Sequence, residues 1–132
     1  MRKLFFLPLI FVLNLFWLGC DKDEELIQTS FMNVQWIESF EEKTSEEIEV
    51  YRTGNVDDFP PSWYRQIFYF DVNNEVEYSV LAANDAHYMT SGTWEYDEEM
   101  KIINIYNSDS EKVFEFKIVE QTDQVLKLIA NP

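Results

Sequence analysis

Few residues of this 132-residue chain have the type and spacing that chemistry needs. His87, the only histidine, stands in "NDAHYMTSG" beside Asp85 and Ser91. Imidazole, carboxylate and hydroxyl are the parts of a hydrolytic triad. No nucleophile elbow surrounds Ser91, however, and nearness in sequence is not triad geometry. Asp85-Ala86-His87 reads instead as a loop between two strands. "DVNNE" (71–75) and "NSDSE" (107–111) place side-chain oxygens at i, i+2 and i+4, as a calcium loop begins. The glycine at the sixth position and the bidentate glutamate at the twelfth are absent, and hairpin turns use the same residues. One histidine and one cysteine cannot build a zinc site. No catalytic residues, metal site or cofactor are identified, and the chain reads as a binder rather than an enzyme.

Two arginines could bind an anion. Arg52 follows Ile48 and Val50 at every second position, which extends a series expected to point inward. A buried guanidinium must be paired, and Glu41 and Glu42 lie just before the same hairpin. Arg65 follows Pro60-Pro61. Either arginine could be a carboxylate grip at a barrel mouth, because the planar fork makes bidentate contacts. An internal Arg–Glu brace is preferred. As ligand-binding candidates we single out Arg52 and Arg65, with Tyr78, Trp94 and Tyr96 as aromatic walls.

The lone cysteine, Cys20, sits in "LGCDKDEEL" between an apolar run and an acidic one. Arg2 and Lys3 precede fifteen residues, Leu4 to Leu18, broken only by Pro8 and Asn14. A membrane span needs roughly 20 apolar residues, so this run fits a signal segment better. Gly19-Cys20 resembles the bacterial lipobox, although Trp17 stands where an aliphatic residue is usual. The resemblance implies a signal peptide over 1–19, and a Cys20 sulfur that carries diacylglycerol and can be labelled through palmitate. Two or three acyl chains anchor far more firmly than one, at roughly 0.8 kcal/mol per buried CH₂. Lys22, Asp23, Glu24 and Glu25 resemble the lipoprotein export signal of Bacteroidota. That implies a lipid anchor in the outer membrane, exposed at the cell surface. Residues 20–31 then form a lipidated tether, and 32–132 form one domain.

Period-two alternation dominates that domain. Val76, Tyr78 and Val80 alternate with Glu75, Glu77 and Ser79. Phe114, Phe116 and Ile118 alternate with Glu115 and Lys117. Trp94 and Tyr96, Ile103 and Ile105, and Leu126 and Leu128 behave alike. Asn73-Asn74 is expected to form a two-residue hairpin turn. Eight strands are expected at about 33–40, 48–53, 66–72, 75–82, 90–96, 101–106, 112–120 and 124–129. Sequential antiparallel strands with one apolar face predict an all-β fold, an eight-stranded up-and-down barrel, with an open β-sandwich as the alternative. "WIESFEE", "VYR", "FPPS", Arg65 and "GTWE" resemble small lipocalin-like lipoproteins of bacteria. The match spans Trp36, Ser39, Glu41, Glu42, Tyr51, Arg52, Phe59, Pro60, Pro61, Arg65, Gly92 and Trp94, with Thr53 where that pattern has proline. It implies the fold and carries no activity.

Charge narrows the partners. Removal of 1–19 would leave eight Lys/Arg against 25 Asp/Glu, a net of −17. Such a surface repels nucleic acid. Besides the membrane, two partners are therefore expected. One is a small apolar or amphiphilic ligand. The other is a cationic protein of the envelope, docked on an acidic barrel with no ligand cavity.

Overall fold

The computed structural model describes residues 31–132. The expectations for the signal segment, Cys20 and the Lys22–Glu25 tag lie outside the described residues. Eight strands form where alternation predicts them: β1 (Gln35–Glu38), β2 (Ile48–Thr53), β3 (Ile67–Phe70), β4 (Glu75–Leu81), β5 (His87–Asp97), β6 (Ile102–Tyr106), β7 (Lys112–Gln121) and β8 (Val125–Ala130). All pairings are antiparallel, and β2 pairs with β8 to close the sheet into a barrel. Closure removes the free edges that a sandwich would leave.

The order runs consecutively from β3 to β8, but β1 stands between β2 and β3. Both neighbours are antiparallel to β1, so they are parallel to each other. Parallel strands need a long crossover, typically a dozen residues or more. Residues 54–66 supply it, as a strap running from the end of β2 to the start of β3. On the outer face of β1, Ile37 is completely buried.

The interior is packed with rings. Phe68 meets Phe114 and Phe116 at centroid distances of 5.2 and 5.5 Å. Phe31 closes one end, 5.4 Å from both Phe70 and Trp94 and 5.8 Å from Tyr96. Its carbonyl accepts the Trp36 indole N–H at 2.8 Å. Phe31 was expected in the tether, yet it is fully buried. An aromatic next to the acidic run reads as linker until the ring is seen plugging the barrel.

Two further expectations are corrected. Arg52 does not point inward. Tyr51 pairs with Leu126 of the core, whereas Arg52 pairs with Val125 and Ile37 on the outer face. Side chains alternate, so Ile48, Val50 and Arg52 all face outward. The turn after β3 is also longer than two residues. Phe70 pairs with Val76, and the Asp71 N–H donates to the Glu75 carbonyl at 2.8 Å. Val72, Asn73 and Asn74 therefore form the turn, and of these only Asn74 (φ 64°) has positive φ. A two-residue type I′ turn needs positive φ at both positions.

Candidate functional site

The strap builds the site. Phe59 is extended (φ −106°, ψ 156°), as the residue before a proline must be. Pro60-Pro61 then turns the chain toward β3, and Arg65 fastens it. The Arg65 Nη1 donates to the Glu38 carbonyl and to Glu41 Oε2, each at 2.9 Å. Its Nη2 donates to the Pro60 carbonyl at 2.7 Å and to Glu41 Oε1. Phe40 and Phe59 lie 4.3 and 5.2 Å from the guanidinium carbon. The Arg65 side chain is only 3% exposed. The pairing lowers the Glu41 pKa and raises that of Arg65.

A second pair lies beside the first and is wetter. Arg52 Nε donates to Glu42 Oε2 at 2.8 Å, and the Ser39 hydroxyl donates to the same oxygen at 2.7 Å. Their hydrogen bonds, that of Arg52 first, hold the Glu42 carboxyl down at about 2. The two arginines are thus both braced by glutamates, Arg65 in the interior of the lock and Arg52 at its rim. Ser39, Glu41, Glu42, Arg52, Phe59, Pro60 and Arg65, which carry much of the sequence resemblance, converge on this one lock. Trp36 and Trp94 add hydrogen bonds at the Phe31 end, Trp94 from its indole N–H to the Asp71 carbonyl at 3.0 Å.

Beyond the lock, the strap overhangs the outer wall of β3, β4 and β5. The Tyr64 hydroxyl donates to the Ser79 carbonyl at 3.0 Å, and the Ser79 hydroxyl accepts the Ile67 N–H at 2.8 Å. Strap and wall enclose a groove of about 690 Å³. Val56, Asp57, Phe59 and Pro60 to Arg65 line one side, and Ile67, Ser79, His87, Tyr88 and Met89 line the other. Trp63 is 70% exposed, and Tyr88 and Met89 are also exposed. His87 packs edge-on against Trp63 (5.8 Å) and Tyr64 (5.3 Å).

No protein-family model, curated protein or solved structure matches this chain.

Of the residues expected to bind a ligand, the groove contains only Arg65, whose Nη1 and Nη2 donors bond to Glu38, Glu41 and Pro60. Tyr78 and Trp94 are buried in the core, and Tyr96 packs against it. None of these three lines the strap groove. The expected interior walls are therefore filling, and the open surface lies outside the barrel. His87 is the first residue of β5 rather than part of a loop, paired with Leu81. Ser91 is four residues along the same strand, about 13 Å away at the usual rise, so the two do not form a triad.

The turn oxygens serve their own backbones. Asp71 Oδ1 accepts the Asn73 N–H at 2.6 Å, and Asn107 Oδ1 accepts those of Asp109 and Glu111 at 3.0 Å. Among the described residues no group of three acids, histidines or cysteines is placed to hold a metal ion.

The groove residues left unassigned in the sequence include Asp57, Trp63, Tyr64, Tyr88 and Met89. The signal of all but Asp57 was present in "PPSWY" and "HYM". In "PPSWY", consecutive ring-bearing residues beside prolines, outside any alternating run, mark a surface that the core does not claim.

Proposed function

We propose that this chain is a lipoprotein of the lipocalin-like, Bacteroidota type, anchored through Cys20 and displayed at the outer-membrane surface. Its barrel binds a small apolar or amphiphilic molecule in the groove beneath the strap. The groove itself carries the reading: about 690 Å³ of open space with Phe59, Trp63 and Tyr64 in its lining, within the range of small-molecule sites. Its walls are held by Arg65 and Tyr64, so little ordering is left for a ligand to impose. The anchor rests on Gly19-Cys20 and the address on Lys22 to Glu25.

Trp63 makes the binding test direct. It is exposed, while Trp36 and Trp94 are buried. Titrating the mature chain with octyl glucoside below micelle formation should shift Trp63 emission to the blue and saturate. Trp63→Phe should abolish the shift. An emission spectrum unmoved by octyl glucoside and by lipid extracts of the host membrane would sink the ligand reading. For the anchor, Cys20→Ser should lose incorporation of a palmitate analogue. Equal label on both chains would overturn it. For the address, alanine at Lys22, Asp23 and Glu24 should keep the label but protect the barrel from protease added to intact cells. Undiminished cleavage would make those residues a linker only.

A further inference from the structure

Charge decides what kind of head such a ligand carries. Arg65 is the sole arginine in the groove, and no lysine lines it. Four Arg65 hydrogen bonds go to Glu38, Glu41 and Pro60, and Phe40 and Phe59 lie against the guanidinium. An incoming carboxylate or phosphate finds no free fork there. The remaining acidic or basic side chains in the lining, tyrosines aside, are Asp57 and His87. Asp57 is exposed at the rim of the strap. Trp63 presents an exposed ring, and ring faces attract cations, tryptophan most strongly. The whole chain carries a formal charge of −15, so its long-range field draws cations toward the groove.

We infer that the strap groove selects an organic cation, an ammonium head bearing an apolar tail, against anions of the same size. This rests on the groove being the ligand site. Trp63 faces the head, Asp57 supplies the counter-charge, and Met89 and Ile67 take the tail.

Three octyl probes separate the terms, each kept below micelle formation: octyltrimethylammonium, octyl glucoside and octyl sulfate. Calorimetry on the mature chain should give one site. The ammonium should bind at least tenfold tighter than the glucoside, and the sulfate most weakly. Asp57→Asn should reduce the ammonium-over-glucoside ratio severalfold. Trp63→Ala should weaken both. Sulfate binding as tight as ammonium would overturn the inference while leaving the groove a ligand site. So would an ammonium preference that survives Asp57→Asn and Trp63→Ala together, since that is adsorption to an acidic surface. Failure of all three probes to bind would remove the ligand site and this inference with it.

Discussion

Arg65 and Arg52 make the same kind of bond in different surroundings. The Arg65 side chain is 3% exposed and holds two main-chain carbonyls besides its glutamate. Arg52 is 36% exposed and its partner Glu42 41%. Removing a buried charge leaves its acceptors unpaired, whereas a surface pair is replaced by water. Arg65→Ala should therefore cost about 3 kcal/mol and Arg52→Ala about 1 kcal/mol or less. Urea melts of the two variants measure both, and equal losses would refute the distinction. The rim pair also sets an acid response. Glu42 titrates at about 2 in the fold against an ordinary 4.5, so the unfolded chain binds its proton first as the pH drops. Its contribution is whole above about pH 4.5 and is lost on the way down to 2. With both partners this exposed, screening leaves about 1 kcal/mol. The stability gap between the native chain and Glu42→Gln should close across that window, and a gap that is constant with pH would assign the effect elsewhere.

At the scale of elements, alternation reads well wherever water covers one face. Val76 and Tyr78 of β4, Ile103 and Ile105 of β6, and Leu126 and Leu128 of β8 all point inward as their spacing predicts. It misleads at β2, where Val50 and Tyr51 are both buried on opposite faces. Two apolar phases then compete, and a one-residue choice flips every side chain. The crossover that places β1 between β2 and β3 leaves no period in the sequence, so the path of the strap was not legible. The lock residues were legible as a group, because paired acids and two arginines had to find one another. Gly92 marks a contact of another kind. A Cβ there would lie 2.0 Å from the Tyr106 carbonyl oxygen, which is backbone and cannot swing away. Gly92→Ala should force β5 and β6 apart and cost about 2–3 kcal/mol, the scale of overpacking. A thermal melt within a degree of native would show that the strands yield freely.

Across the whole molecule, the two ends of the barrel face different tasks. Phe31 is locked into one end, against Phe70, Trp94 and Tyr96. The described chain begins at that end. Trp63 sits at the opposite end, against His87 where β5 begins. Eleven residues, 20 to 30, separate the proposed lipid from Phe31, a reach of at most about 35–40 Å when fully extended. The barrel's net negative charge repels an anionic headgroup layer, and the end that bears Phe31 is the one nearest in sequence to the proposed lipid. The groove of the lipidated form should therefore open away from its own membrane and meet ligand from the medium. Reconstitution into vesicles containing brominated lipid tests this through the exposed indole. Trp63 emission should remain unquenched by the lipid and stay open to acrylamide, as in the unanchored chain. Quenching by bromine together with protection from acrylamide would place the groove on the bilayer, and would make the membrane itself the source of whatever it binds.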